Sequence, residues 1–329
     1  MTWKGRAIGG VVAVGLVAAI AVAVDRGVGP LTGPEGCTAA VGGHKVDLSL
    51  EQAENAALIA AIGVRRGLPA RAVSIALATA YQESKIENVE YGDRDSLGLF
   101  QQRPSQGWGT SDEVLDPYFA TNAFYDALQE VDGYEDMRIT EAAQRVQRSG
   151  FPEAYEPHAE DARALASALT GNSPDGQFHC TVSGTPPEQM ADPSDADLNN
   201  SGLAPRAATV RDNLDAAFGD LPLGGFSPAG VSSGHMEGSA HYEGRAIDVF
   251  VRPVNAENRK QGWAIAYYLV AQADRLEIEH LIFDDKIWTS GRKSNGGWRD
   301  YDPGSVSGKS ADTVAILEHR DHVHVDTFR

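Results

Sequence analysis

Basic residues are scarce in this chain. Among its 329 residues, 28 are lysine or arginine and 46 are aspartate or glutamate, which gives a formal net charge of -18 at pH 7. A nucleic-acid-binding protein needs clustered basic side chains to neutralise phosphates, so this composition excludes that class of partner. Apolar residues make up 42% of the chain, enough for packed cores, and the length is typical of about two domains.

Cysteine occurs only twice, at Cys37 and Cys180. No lipobox-like Leu-Ala-Gly precedes Cys37, which argues against a lipoprotein. Outside the cytoplasm, an even pair is most simply one disulfide. Closing so long a loop would stabilise the fold by about 3 to 5 kcal/mol. The alternative is two buried thiols that stay unpaired.

Long uncharged apolar runs are rare as well, and the clearest one is N-terminal. It spans residues 7–24 after Lys4 and Arg6, and it is just long enough to cross a hydrocarbon core of about 30 Å. We predict a protein of the cell membrane, with a single N-terminal span and its other residues extracellular. The rival prediction is a secreted protein, because Ala21-Val22-Ala23 offers a small-x-small signal-peptide cleavage site.

Composition also divides the rest of the chain. Residues 171–203 are rich in Pro, Ser, Asp, Asn and Gly, which marks a linker. The predicted segments are an anchor or signal peptide (1–26), a spacer (27–43), a helical domain (44–180), a linker (181–203) and a second domain (204–329).

Periodicity predicts the elements of the two domains. Helices are predicted in the first domain at 50–67, 70–85, 117–131, 139–149 and 157–170. In the second domain, helices are predicted at 206–218 and 258–275, and strands at 245–252, 278–283 and 321–328. Ser49 and Gln52 predict a capping box for the first helix. The fold class is therefore a mainly α domain followed by an α+β domain.

Glu83 ends a helix whose preceding turns are almost wholly apolar. Desolvation raises the pKa of a half-buried carboxyl, so Glu83 is a candidate general acid for a glycosidic oxygen. The alternative is a helix-terminal glutamate that pairs with Lys85 or Arg94. Downstream, Gly98 permits close backbone approach, and Gln101 offers a donor and an acceptor that can hold a sugar.

These residues carry a resemblance to a known superfamily. Glu83-Ser84 followed by Gly98-Leu-Phe-Gln101 resembles the lysozyme-like lytic transglycosylases and goose-type lysozymes over about residues 50–170. Gly92-Asp93-Arg94 is particularly similar to the goose type. The resemblance implies a lysozyme-like fold in which Glu83 is the catalytic acid, Asp93 is an auxiliary carboxylate, and Gln101 contacts the substrate.

Arg103 departs from the goose-type pattern, which has a second aspartate at this position. Inverting hydrolysis needs a second carboxylate opposite the acid, whereas a transglycosylase uses the 6-hydroxyl of the sugar itself, so both outcomes stay open. Tyr155 resembles the tyrosine that lytic transglycosylases place near the acid. Trp108 and Tyr91 are either sugar-stacking aromatics or core residues.

A second pattern lies near the C-terminus, where His241-x6-Asp248 is followed by Glu318-His-Arg-Asp-His-Val-His324. Two imidazoles and one carboxylate are zinc ligands that leave a fourth position open for water. We predict His241, Asp248 and His324 as the ligands of Zn²⁺. If His322 and His324 lie on a strand, both imidazoles share one face. The alternative is that these are ordinary surface histidines.

This segment resembles the zinc site shared by D-Ala-D-Ala carboxypeptidases and dipeptidases, murein endopeptidases and hedgehog domains, over about residues 204–329. The resemblance implies the same three ligands, but it leaves the general base open. Asp321 stands where the peptidases have a glutamate, Glu318 matches hedgehog proteins, and His319 and His322 match murein endopeptidases. We predict that His322 takes or steers the proton, and that Asp321 or Glu318 orients it. His235 is interpreted as incidental.

Both halves together resemble a group of exported actinobacterial proteins that join these two domains. The resemblance implies a peptidoglycan hydrolase that cleaves glycan strands at Glu83 and peptide stems or cross-links at a zinc centre. Peptidoglycan is the expected partner. Two alternatives remain: a peptidoglycan-binding or scaffold protein in which one or both domains are non-catalytic, and an enzyme in which only the glycan-cleaving domain is active.

Overall fold

The computed structural model describes residues 34–184 and 198–329. Within these two ranges no helix is both long and apolar enough to cross a bilayer. The predicted localisation in the membrane is therefore corrected. The apolar segment 7–24, which motivated it, lies outside the described residues.

The first half combines helices with a small antiparallel sheet. Its helices are α1 (Leu50–Arg65), α2 (Ala70–Ser84), α3 (Ser111–Leu115), α4 (Pro117–Gln129), α5 (Ile139–Gln147) and α6 (Ala159–Leu169). Its strands are β1 (Gly36–Val41), β2 (His44–Leu48) and β3 (Phe178–Thr181), in the order β2-β1-β3. All five helices predicted for this domain are confirmed to within a few residues, and β1 lies in the predicted spacer.

The capping box predicted for α1 is present. The Ser49 hydroxyl accepts a hydrogen bond from the backbone N–H of Gln52, and the Gln52 side chain accepts one from the backbone of Ser49. Small residues let the helices approach closely: a Cβ on Gly63 would lie 2.7 Å from Val73. This packing buries the apolar turns of α2 and leaves Glu83 at the open end of that helix.

The second half is built on a six-stranded antiparallel sheet of order β4-β5-β9-β6-β7-β8. Its strands are β4 (Leu223–Gly224), β5 (Ala246–Phe250), β6 (Ile278–Phe283), β7 (Lys286–Thr289), β8 (Arg299–Asp300) and β9 (His322–Thr327). Its helices are α7 (Pro205–Phe218), α8 (Ala256–Ala271) and α9 (Ala311–Leu317). The two helices and three strands predicted here are confirmed, whereas β4, β7, β8 and α9 were not predicted.

Strand β9 is central in this sheet and is buried along its whole length. Because side chains alternate along a strand, Val323 and Val325 share one face and His322, His324 and Asp326 share the other. The valines are part of the hydrophobic core, and the polar residues line an open cleft.

The two halves pack directly against each other through one continuous cluster of buried residues. Trp288 of β7 donates an indole hydrogen bond to the carbonyl of Cys180 at 3.0 Å. The hydroxyl of Tyr267, in α8, accepts hydrogen bonds from the backbone of Gly176 and Gln177. On the other side, Gln272 donates to the carbonyl of Glu54 in α1. The start of the predicted linker, at Val182, is bonded to the second half, and residues 185–197 lie outside the described ranges.

The predicted disulfide between Cys37 and Cys180 is present. It joins β1 and β3 at directly opposed positions and closes a loop with a sequence separation of 143. Nearly all of the helical half therefore lies within one covalent loop.

Replacing both cysteines by alanine should lower the free energy of unfolding by about 3 to 5 kcal/mol, because the unfolded chain regains the entropy of the open loop. Urea unfolding of the oxidised protein and of the double variant Cys37→Ala/Cys180→Ala measures this difference. Equal unfolding midpoints for the two proteins would show that the bond does not stabilise the fold.

Candidate metal centre and candidate acid site

Three side chains converge on one point of the cleft. His241 lies on a 3-10 turn (Ala240–Glu243), Asp248 on β5 and His324 on β9, and the last two are directly opposed across the strands. His241 Nε2 lies 3.1 Å from His324 Nδ1 and 3.3 Å from Asp248 Oδ1, and His324 Nδ1 lies 3.2 Å from the same oxygen. All three residues are buried.

The hydrogen bonds behind the two histidines decide which nitrogens face the centre. His241 Nδ1 lies 2.7 Å from the carbonyl of Gly225, which can only accept, so Nδ1 donates and Nε2 presents a lone pair. His324 Nε2 lies 3.3 Å from a carboxylate oxygen of Asp326, so its Nδ1 presents a lone pair. With one proton on each ring, three acceptor atoms therefore face one another.

This geometry fits a tetrahedral metal ion. Zinc–ligand bonds of about 2.0 to 2.1 Å give a tetrahedron whose edges are about 3.3 Å, which matches the separations of the three donor atoms. Burial would raise the pKa of Asp248, but His241 and His324 hold that pKa well below its usual range. The carboxylate is thus ionised and available as a ligand.

A proton competes for the centre in the metal-free protein. Burial disfavours a charge on His324, but hydrogen bonds to Asp248 and Asp326 raise the pKa of His324 to about 9. A divalent cation must therefore displace a proton when it binds near neutral pH.

Asp326 links the centre to a further histidine. Besides facing His324, its carboxylate lies 3.0 Å from His280 Nδ1 and accepts from the His280 backbone N–H. An irregularity in the β6–β9 pairing between Ile278 and His280 turns both Glu279 and His280 into the cleft. Glu279, His280 and Asp326 also lie within 4.8 Å of one another. However, Asp326 is already bonded to His324, and the Arg245 guanidinium lies 3.7 Å from Glu279, so this group is better suited to orienting His324.

A second row of side chains stands beside the three candidate ligands. His322 Nε2 lies 3.7 Å from Asp248 Oδ1, and His322 Nδ1 lies 2.7 Å from Asp321 Oδ1. Because the carboxylate accepts the Nδ1 proton, Nε2 is left as a base on the cleft side. Burial opposes the charge of Asp321, but His322 and Arg252 lower its pKa.

The other two candidate bases lie in different surroundings. His319 lines the cleft with its ring centroid 4.7 Å from that of His322, and burial and the neighbouring His322 lower its pKa to about 3. Glu318 pairs with Arg320 at 2.9 Å and is not part of the cleft lining. Of the three candidate bases His322, His319 and Glu318, His322 therefore lies closest to the candidate ligands, with Asp321 behind it.

His235, interpreted from the sequence as incidental, also faces the centre. Its ring stacks on His241 with centroids 3.9 Å apart, and its backbone is held at both N–H and C=O by the Tyr242 hydroxyl. The cleft has a volume of about 1110 Å³. The exposed side chains of Met236 and Ile316 form apolar parts of its lining.

Glu83 forms the candidate acid site of the helical half. It lies in the last turn of α2 and is half-buried. Tyr155 donates its hydroxyl to Glu83 Oε1 at 2.8 Å. Burial raises the pKa of Glu83. Lys85, named as an alternative partner, lies over the ring of Tyr81, and Arg94 lies near Asp93.

The residues expected near Glu83 are only partly brought to it. The Gln101 amide nitrogen donates to the carbonyls of Tyr91 and Gly98, so this side chain braces its own loop. Asp93 is highly exposed and lies 3.8 Å from Arg94. Tyr91 is 75% exposed and remains available for stacking on a sugar, whereas Trp108 packs against the core.

Arg103 occupies the position of the expected second aspartate. Its Nε donates to Asp95 at 2.8 Å, and the same carboxylate accepts from the backbone N–H of Ser105 at 2.8 Å. Ser105 and Arg103 hold the pKa of Asp95 well below its usual range. Asp95 is thus a structural anion that fixes the loop.

Comparison with known proteins bears on the second half alone. The family model "VldE, C-terminal domain" matches residues 199–311, about a third of the chain. The matched range includes His241, Asp248 and the strands on either side of the cleft, and it ends before His322 and His324. A search of curated proteins finds no match.

A substitution at Gly225 would test the geometry of the candidate metal centre. Its φ is +79°, and a Cβ there would lie 2.3 Å from His241 Cε1 and 3.0 Å from Asp248 Oδ2. Gly225→Ala should weaken zinc affinity by about 10- to 100-fold, the range found for residues that orient metal ligands. Titration against a competing chelator measures it.

Gly230→Ala is the matched control, because Gly230 has a φ of +77° and open space around it. Its affinity for zinc should equal that of the wild type. Equal affinities for both variants would contradict the ligand assignment.

Glu83 should destabilise the folded protein once it ionises. Because its pKa is raised above the ordinary value of 4.5 in the folded state, the folded protein binds more protons, and stability falls as pH rises between the unfolded and folded pKa values. Glu83→Gln removes this cost. The urea midpoint of the variant minus that of the wild type should therefore be larger at about pH 8 than at about pH 4. Glu90 is exposed, so Glu90→Gln is the control. If the difference in urea midpoint between Glu83→Gln and wild type did not change with pH, the raised pKa of Glu83 would be refuted.

Proposed function

We propose that the protein is a peptidoglycan hydrolase with two catalytic centres, a zinc-dependent peptidase centre in its second half and a glycan-cleaving centre at Glu83. The observation that carries the proposal is the convergence of His241 Nε2, Asp248 Oδ1 and His324 Nδ1 at 3.1 to 3.3 Å beside a fourth, hydrogen-bonded imidazole. Two nitrogens and one oxygen form a donor set that suits zinc and leaves a position open.

Zinc bound at these residues would polarise the peptide carbonyl and make water a stronger nucleophile. The chain's own groups then handle the proton. His322 Nε2 accepts a proton from the attacking water as the water oxygen bonds to the carbonyl carbon. The same nitrogen returns the proton to the amide nitrogen as the C–N bond breaks, which yields a carboxylic acid and an amine. Asp321 stabilises the imidazolium in between.

At the second centre, protonated Glu83 would donate its proton to the glycosidic oxygen as the C–O bond breaks. Tyr155 holds the carboxyl in place through its 2.8 Å hydrogen bond. Arg103 stands where goose-type enzymes have a second aspartate, and it binds the Asp95 carboxylate at 2.8 Å. The missing aspartate favours a lytic transglycosylase, in which Glu83 takes back a proton from the 6-hydroxyl of the sugar as that oxygen closes the anhydro ring.

Purified protein incubated with isolated sacculi tests both centres. Wild type should release anhydro-muropeptides and shortened peptide stems, identified by mass. Glu83→Gln should abolish the anhydro products and retain peptide cleavage, because the acid alone is lost. His241→Ala should do the reverse and should also reduce bound zinc, measured by metal analysis.

Glu90→Gln and His44→Ala are controls at residues that have no proposed role in either centre, and they should behave as wild type. If the sacculi stayed intact while the protein sedimented with them, the proposed hydrolase activity would be refuted. That result would support the alternative, a peptidoglycan-binding protein. Anhydro products without peptide cleavage would limit the enzyme to the first centre.

A further inference from the structure

Arg252 contacts Asp321, which in turn contacts His322 beside the candidate metal centre. Its Nε and one terminal nitrogen both lie 2.7 Å from Asp321 Oδ2. The other carboxylate oxygen, Oδ1, takes the 2.7 Å contact from His322 Nδ1. Both oxygens of the buried Asp321 are thus bonded, one toward the cleft and one toward Arg252.

The fold holds Arg252 in this place. Phe250 and His322 are the last opposed pair of the β5–β9 ladder, and the backbone N–H of Val251 donates to the carbonyl of Asp321 at 2.9 Å. The chain therefore brings Arg252 next to Asp321 just beyond the end of the ladder. The guanidinium also lies 4.1 Å from the centroid of the Phe250 ring, a cation–π contact that restricts its rotamers.

Without Arg252, the Asp321 carboxylate would have one free oxygen and freedom to rotate. If the carboxylate turned away, it would no longer accept the hydrogen bond from His322 Nδ1. The neutral imidazole would then exchange between its two tautomers. In the Nε2–H tautomer, the nitrogen that faces the cleft carries a proton and cannot accept another. The orientation of the Asp321 carboxylate therefore decides whether His322 Nε2 can accept a proton from water.

We propose that Arg252 is a positioning residue, which holds Asp321 so that His322 keeps its proton on Nδ1 and presents Nε2 to the nucleophile. The effect on rate rests on the proposed peptidase function, but the effect on the tautomer does not. Lysine at this position can keep the charge but cannot reproduce two donors from one planar group.

The first test is kinetic and uses zinc-loaded full-length protein with a soluble peptide fragment of peptidoglycan. Arg252→Met should lower kcat by about 10- to 100-fold, as loss of an orienting partner does, and change KM by less than about threefold, because the water step rather than binding is affected. Arg252→Lys should restore part of kcat. The control Arg211→Met removes an arginine of α7 that pairs with Asp212 instead and should keep wild-type kcat.

The second test reads the tautomer directly in zinc-free protein. Nitrogen-15 NMR of the imidazoles should show His322 as the Nδ1–H tautomer in the wild type and as a mixture in Arg252→Met, with His241 unchanged. An unchanged His322 tautomer in Arg252→Met would overturn the proposal, even if kcat fell, because Arg252 would then act on the substrate. If wild-type protein cleaves no peptide, the proposed function fails, while the NMR result still decides the role of Arg252.

Discussion

The backbone ladder between β5 and β9 is the constraint on which the candidate metal centre depends. It opposes Asp248 to His324 and Phe250 to His322, and the pleat turns the alternate residues of both strands into the same cleft. A slip of one residue in this register would exchange the two faces of β9, so that valines would line the cleft and the histidines would enter the core. The hydrophobic packing of Val323 and Val325 therefore maintains the chemistry on the opposite face.

Each polar side chain at the centre is aimed by a partner behind it. Gly225 orients His241, Asp326 orients His324, and Asp321 orients His322. These partners are a backbone carbonyl and two buried carboxylates, all of which accept hydrogen bonds. They therefore select the same tautomer of each neutral ring: the outer nitrogen carries the hydrogen and the inner nitrogen offers a lone pair. Preorganisation of this kind lowers the cost of assembling a reactive site.

The sequence predicted the long, periodic elements and the local motifs. The helices and central strands followed from apolar spacing, and the disulfide followed from cysteine count. The strands β3, β4, β7 and β8 were not predicted, since two to four residues have too little periodicity. The strands β1 and β2 are longer, but β1 lies in the segment whose Gly, Pro and Thr content predicted a spacer. The supporting residues were also beyond reach, because Gly225, Arg252 and His280 meet His241, Asp321 and Asp326 only in the folded chain. Asp326 was not predicted either, although the alternation from His322 to His324 continues to it and could have indicated it.

The packing of the two halves against each other has a consequence for how the molecule would bind a substrate. Tyr267, Trp288 and Gln272 bond to backbone groups of the helical half, and Tyr267 and Trp288 belong to the buried cluster. Among the described residues, Glu83 and the candidate metal centre are therefore joined through one continuous core. If the proposed hydrolase held one polymer at both centres, the distance between Glu83 and the candidate zinc ligands would set the length of the product between two cuts.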